Sequence, residues 1–414
     1  MLTLLWLALV FCALIFAVAL QRLFRGPRHR TWTYRGELGA RFMHIALRHF
    51  GRHGLAALRG RTGRRIPVAR WIDRRCTREG VELTVGADAG CGAARTLMGE
   101  WIIPRDVAPR CTLLYLHGGG YAFCSIATHR DLMARVALRC RARVLGLAYR
   151  LAPEHPFPAA LDDARAAYQW LRDSDDAQLP IVFAGDSAGG GLALATLLSL
   201  RDAEASLPAA ALLFSPWVDL SAAGGSFEEN ARYDFLNARA PFFGELVRAY
   251  AGETGARHPL VSPGLGALHG LAPLLMQVGG AEIFRDQVRA IAERAEKAGV
   301  VVQLDELEGM VHVVQALPLF FPKQAREALR VAAAFLDRHL PVTPSSSPRP
   351  KCATKAPAWP CRCAPTGSRG SPACGSVAAP RSALAASTRV CCDPSSRSRP
   401  GGVALSCWSA SRTR

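Results

Sequence analysis

Ser187 lies between glycines in Gly185-Asp186-Ser187-Ala188-Gly189-Gly190, directly after the apolar run Ile181-Val182-Phe183-Ala184 and before the helix-forming Leu192-Ala193-Leu194-Ala195. A serine at such a strand-to-helix turn suits a nucleophile elbow, whose tight bend lifts Oγ clear of the sheet. Flanking glycines are expected because a Cβ there would clash with neighbouring backbone and because φ > 0 is cheap for glycine alone. The same residues would also suit a plain glycine-rich turn with a helix-capping serine. A second motif about seventy residues upstream favours the elbow: the apolar Thr112-Leu113-Leu114-Tyr115-Leu116 runs into His117-Gly118-Gly119-Gly120. Acyl transfer builds negative charge on a carbonyl oxygen, and rigid backbone N–H groups meet it without reorganising. Gly119 and Gly120 would offer two such donors and Ala188, after the serine, a third.

A serine hydroxyl is a weak nucleophile near neutral pH. It needs a histidine to take its proton and a carboxylate to orient that histidine. With the acid and then the histidine following the serine, the candidate bases are His258, His269, His312 and His339. His312, in Glu308-Gly309-Met310-Val311-His312, follows the strand-like Val301 to Leu304, where a loop at the carboxyl edge of a sheet would carry it to Ser187. His258 and His269 sit in a Pro/Gly-rich insertion and His339 ends an amphipathic helix, so surface roles suit them. For the acid, the stretch from Leu274 to Asp286 reads as strand, glycine turn and helix start, with Glu282 first after the turn and Asp286 one helical turn later. Glu282 is the better placed. Asp286 remains the alternative, with capping of the helix N-terminus as its other role.

The elements that position these residues are strands alternating with helices, which indicates an α/β fold with a mostly parallel sheet covered on both faces. Strands are expected at 81–85, 101–103, 113–116, 143–149, 181–184, 211–214, 274–278 and 301–304, and helices near 128–140, 159–173, 187–203, 284–299 and 322–339. The catalytic body is expected over residues 76–340. After Pro341 the composition turns to Pro, Ser, Arg, Ala and Cys without apolar period, so 341–414 should be a disordered low-complexity tail.

The formal charge of +18 would suggest an anionic partner, but the tail holds eleven Lys and Arg against the single acid Asp393. A nucleic-acid role for the body is therefore not supported. Seven of the thirteen cysteines also lie in the tail, without the spacing of a metal site. Cys111, Cys124 and Cys140 are expected to be free thiols, and neither a metal nor a cofactor is expected. Residues 2–20 carry no charge and nearly match the roughly 20 residues of a bilayer-crossing helix. They are read, within residues 1–21, as a transmembrane anchor, with a cleaved signal and export as the alternative because Ala17-Val18-Ala19 resembles a cleavage site. Arg22, Arg25, Arg28 and Arg30 follow directly and would keep the body cytoplasmic. The basic stretch 22–75 is expected to be helical and part of a cap.

Together with Tyr149-Arg150-Leu151-Ala152-Pro153-Glu154-His155-Pro156, Ser215-Pro216-Trp217 and His258-Pro259-Leu260-Val261-Ser262-Pro263, these motifs resemble the hormone-sensitive lipase family of esterases over about residues 75–340. The resemblance implies an α/β-hydrolase fold, a mostly parallel twisted sheet flanked by helices, with a helical cap drawn from the N-terminal residues and an insertion near 222–262. It implies cofactor-free hydrolysis of small-molecule carboxylic esters of short to medium acyl chain. His117 and Gly118 belong to the oxyanion motif, and Glu154 with His155 is a structural pair. The family commonly has an aspartate about thirty residues before the histidine, where this chain has Glu282. An amidase or deacetylase acting on N-acyl substrates, or a non-catalytic ligand-binding protein of the same fold, are the alternatives.

Overall fold

The computed structural model describes residues 2–51, 54–55, 59–60, 68–86, 95–174, 178–236 and 241–341. The expected disorder of the tail, with its cysteines, lies outside the described residues, as does part of the basic stretch before residue 68.

Eight strands form one sheet: β1 (Cys76–Val85), β2 (Arg95–Pro104), β3 (Cys111–Leu116), β4 (Ala142–Ala148), β5 (Ile181–Asp186), β6 (Ala210–Phe214), β7 (Leu274–Gly279) and β8 (Val302–Leu307). Their spatial order is β1-β2-β4-β3-β5-β6-β7-β8. From β4 onward neighbours are parallel, whereas β2 pairs antiparallel with both β1 and β4. Every side chain of β3, β6 and β7 is buried, which is why these strands read as nearly continuous apolar runs, interrupted only by Thr112 and Gln277. Leu114 and Leu116 face one core with Phe183, and Leu113 and Tyr115 face the other with Val182, Leu212 and Leu275. This is the period-two alternation of a strand.

Helices α4 (Ile126–Cys140) and α10 (Pro322–His339) cover the second of these cores; α5 (Ala159–Asp173), α6 (Ala188–Asp202) and α9 (Arg285–Lys297) cover the first. α4 starts two residues earlier than the sequence pattern indicated because Ser125 and Thr128 form a capping box. The 222–262 insertion contains α7 (Ser226–Glu229) and α8 (Pro241–Ala251). The short α3 (Arg70–Arg75) leads into β1. Cys111 and Cys140 are buried, Cys124 is half-buried, and none of the three is in a disulfide.

At the N-terminus α1 (Leu2–Arg25) and α2 (Tyr34–Gly51) form an antiparallel hairpin. Leu14, Val18 and Leu38 are its small core. The fully buried Glu37 carboxylate accepts from Arg22 at 2.9 Å and from Arg41 at 2.8 Å. Gly36 and Gly39 set α2 against the rings of Phe321 and Phe320, and the Trp32 indole donates to the Gly309 carbonyl at 2.5 Å. The hairpin is thereby tied to the loop that carries His312.

Candidate active site

Ser187 stands at the carboxyl end of β5 with φ +53° and ψ −122°. Its N–H donates to Phe214 O at 2.9 Å. The expected glycine frame is present, but its reason differs in part from the sequence-based one. The positive φ falls on Ser187 itself, and the flanking glycines provide space. A Cβ on Gly185 would meet Gly189 O at 2.4 Å, and one on Gly189 would meet Leu116 O at 2.0 Å. A non-glycine residue with positive φ, fixed by its surroundings, is backbone strain held at a specific site.

The His117–Gly120 loop leaves β3 beside this turn. The buried Asp186 carboxylate braces it, accepting from Gly118 N–H at 3.2 Å, Tyr115 Oη at 2.7 Å and His129 Nε2 at 3.3 Å. Burial opposes charge on Asp186, yet His129 and the Tyr115 hydroxyl hold its carboxyl below the ordinary range. Burial likewise lowers His129, but the facing Asp186 outweighs it and raises the imidazole above its usual value. Sequence reasoning did not single out Asp186 or His129. The signal for Asp186 was its place inside the serine motif, and His129 had none. His117 donates from Nδ1 to Gly118 O at 2.7 Å and stacks on Tyr149 with centroids 4.4 Å apart. Burial pushes its pKa down to about 4, which keeps it neutral. Gly119 and Gly120 have φ of +116° and +58°. Among the described residues, the N–H groups of Gly119, Gly120 and Ala188 donate no hydrogen bond within the protein. Leu246 of α8 packs on Gly120, so the insertion reaches this loop.

Glu282 and His312 come together on the loops after β7 and β8. His312 Nδ1 faces Glu282 Oε1 at 3.6 Å, slightly beyond hydrogen-bond length, with both side chains buried. The other carboxylate oxygen accepts from Ser215 Oγ at 2.7 Å and Gly279 N–H at 3.0 Å. Ser215, at the end of β6 with φ +46°, also accepts the Val313 N–H at 3.0 Å, next to His312. One hydroxyl thus links the carboxylate loop to the histidine loop. Burial lowers the His312 pKa, but the Glu282 carboxylate, helped by Asp234 and Asp186, outweighs it and raises the imidazole above its usual value.

Asp234, from the 222–262 insertion, is a fully buried acid beside this pair that no sequence signal marked. It accepts from Ile283 N–H at 2.8 Å and Leu236 N–H at 3.1 Å. Burial chiefly, and the nearby Glu282, raise its pKa to about 7, although His312 opposes the shift.

Asp286 is not drawn into this group. Its carboxylate accepts Ser226 N–H at 2.8 Å and Arg285 Nε at 2.8 Å, with the side chain 43% exposed. His258 accepts Leu260 N–H, His269 is exposed and His339 packs on Phe335. Glu154 and His155 are exposed. Among the described residues no group of three His, Cys, Asp or Glu side chains is placed to hold a metal ion.

Residues 113–316 match the α/β-hydrolase fold family model. The chain is 44% identical to an acetyl-hydrolase of Streptomyces hygroscopicus over 237 residues, 57% of this chain and 78% of that protein. It is 34% identical to an esterase of Acinetobacter venetianus over 223 residues, 54% of this chain and 73% of that protein. A solved esterase of the bacterial hormone-sensitive lipase family superposes with a TM-score of 0.59 at 33% identity, covering 80% of this chain and 98% of that one. The sheet, the serine turn and these likenesses agree, and the chain belongs to the hormone-sensitive lipase family of α/β-hydrolase esterases.

Proposed function

We propose that the protein is a serine carboxylic-ester hydrolase in which Ser187 is the nucleophile, His312 the base and Glu282 the acid that orients it. The observation that carries this reading is the end of β6, where Phe214 O accepts the N–H of the strained, positive-φ Ser187 and the next residue, Ser215, joins Val313 to Glu282, which His312 Nδ1 faces at 3.6 Å. Ser187 Oγ attacks the ester carbonyl as His312 Nε2 takes its proton. The tetrahedral oxyanion rests on the Gly119, Gly120 and Ala188 N–H groups, whose lack of internal acceptors leaves them available. Collapse expels the alcohol, which receives the proton from His312. Water then attacks the acyl-enzyme, with His312 again the base, and releases the acid.

The substrates proposed are esters of short to medium acyl chain, acetyl first, in keeping with the acetyl-hydrolase relative. Residues 2–20 are read as holding the enzyme on a membrane with its body cytoplasmic, supported by the apolar stretch Leu5–Arg25, whose most apolar 18 residues have a mean hydropathy of 2.3, and the arginines at its end and after it. The test is Ser187→Ala against a series of p-nitrophenyl esters from acetate to octanoate, with fluorophosphonate labelling. The variant should lose the label and at least about 10⁴-fold in turnover while unfolding at the wild-type temperature. Retained turnover by Ser187→Ala would refute the assignment.

A further inference from the structure

Helix α1 is long and apolar enough to cross a bilayer, yet a second helix runs beside it. The 18 residues of α2 lie antiparallel to the 24 of α1 and cover about 27 of its 36 Å. Arg22 meets Glu37 at one end, Val18 and Leu14 pack with Leu38 in the middle, Phe11 meets Phe42 edge-on at 5.3 Å, and Trp6 stacks on His49 at 3.9 Å at the far end. Beyond α2 the next layer is the body, through Phe320, Phe321 and the Asp234 carbonyl, which faces His44 Nδ1 at 3.2 Å.

A crossing α1 would draw α2 into hydrocarbon, and α2 carries Arg35, Glu37, Arg41, His44, Arg48 and His49. Glu37 and Arg41 neutralise one another, but Arg35 and Arg48 are exposed, and a charged side chain facing acyl chains is strongly disfavoured. The outward side of α1 has the opposite character. Leu5, Leu9, Phe16, Leu20, Leu23 and Phe24 are all exposed on it. An apolar face of that extent marks a contact surface. Arg25, Arg35 and Arg48 are exposed along the hairpin, where anionic headgroups would meet them.

We propose that the α1–α2 hairpin is a monotopic membrane seat. In it α1 lies in the plane of a single leaflet bearing anionic headgroups, its outer face among the acyl chains, and the N-terminus stays on the same side as the catalytic body. This rests on the reading of residues 2–20 as a membrane anchor and replaces crossing by lying flat.

The full chain, with one epitope before Met1 and another after Arg414, is tested by protease treatment of sealed membrane vesicles of known sidedness. Both epitopes should be digested from one side and both survive from the other. Digestion from opposite sides would establish a crossing helix and overturn the proposal. Loss of the first epitope by cleavage, or recovery of the intact chain in the soluble fraction, would overturn the anchoring reading and this proposal with it. As a second measurement, Phe16→Arg with Leu20→Arg should raise the soluble fraction by about tenfold or more, because both side chains lie on the lipid-facing side. p-Nitrophenyl acetate turnover should stay within about twofold. Wild-type membrane retention of that double variant would also overturn the proposal. The digestion pattern is read without any activity, so an inactive protein would refute the ester-hydrolase reading and leave the seat standing.

Discussion

Removing the Ser215 hydroxyl should loosen Glu282 and His312, the proposed acid and base, from each other without touching substrate. That hydroxyl donates to Glu282 Oε2 at 2.7 Å and accepts the Val313 N–H at 3.0 Å. In Ser215→Ala the Val313 N–H is left buried and unpaired, which costs about 1–3 kcal/mol, and Glu282 loses a charge-assisted bond worth about 1.5–3 kcal/mol. The folded state therefore loses about 2.5–6 kcal/mol. Only the part that lets the two loops drift apart reaches the reaction. A share of about 1.4–2.7 kcal/mol corresponds to a fall of about 10- to 100-fold in kcat/KM, carried by kcat. Ser215→Gly separates the hydroxyl from the backbone: it deletes the same bonds but relieves the φ of +46°. It should be more stable than the alanine variant by about 1 kcal/mol and equally impaired in turnover. Steady-state hydrolysis of p-nitrophenyl acetate and thermal unfolding of both variants measure this. An alanine variant within about twofold of wild type, or a glycine variant with full activity, would refute the linkage.

Three further outcomes concern charge. As the proposed base, His312 must be neutral to accept a proton, and its pKa is raised above 6.5, so kcat/KM should fall as pH drops through a midpoint above that value; Glu282→Gln should move the midpoint down, as a pH–rate profile would reveal. Asp186 has a folded pKa below its unfolded one, so its contribution to stability is present above the unfolded value and lost as pH falls through the folded one. Asp186→Asn should therefore unfold at lower temperature at pH 7, and the gap should narrow in acid. Asp234 is the reverse: raised to about 7, it favours the folded state fully only below its unfolded value near 3.8, and that advantage is lost as pH rises to 7. Asp234→Asn should gain on wild type across that window by roughly 4 kcal/mol at most, and urea midpoints that differ equally at pH 5 and 8 would contradict this.

The sheet was readable where both faces are buried. β3, β6 and β7 present only buried side chains, so their runs of Leu, Val and Phe stand out, and the flanking helices were bounded closely. β1 and β2 were read only at 81–85 and 101–103, although each has ten residues. Their remaining positions include Arg78, Glu79 and Glu100, and Arg78 and Arg130 both reach Glu100 across the edge of the sheet. Charges held by tertiary partners interrupt the apolar pattern without interrupting the strand. Asp234 illustrates a different limit. An acid in a loop of an insertion reads as solvated, and only the fold reveals that Ile283 and Leu236 bury it.

Which of Glu282 and Asp286 faces His312 depends on where one helix begins. Had α9 started at the glycines, the two acids would lie four residues apart on one face, and the spacing to His312 would favour neither. Instead α9 starts at Arg285, and Gly280 through Phe284, after the end of β7, remain a turn. Within that turn the Gly279 N–H draws Glu282 back over the strand end, where Ser215 takes one oxygen and leaves the other facing His312. Asp286 falls in the first turn of the helix, where its charge suits the helix dipole, and it accepts the Ser226 N–H of α7. Asp286 thus ties the insertion to the body. Sequence spacing counts residues, but the direction of a carboxylate depends on whether its backbone is turn or helix. Here that depends on the five turn residues from Gly280 to Phe284, where Asp234 accepts the Ile283 N–H and Asn230 donates to the Glu282 carbonyl.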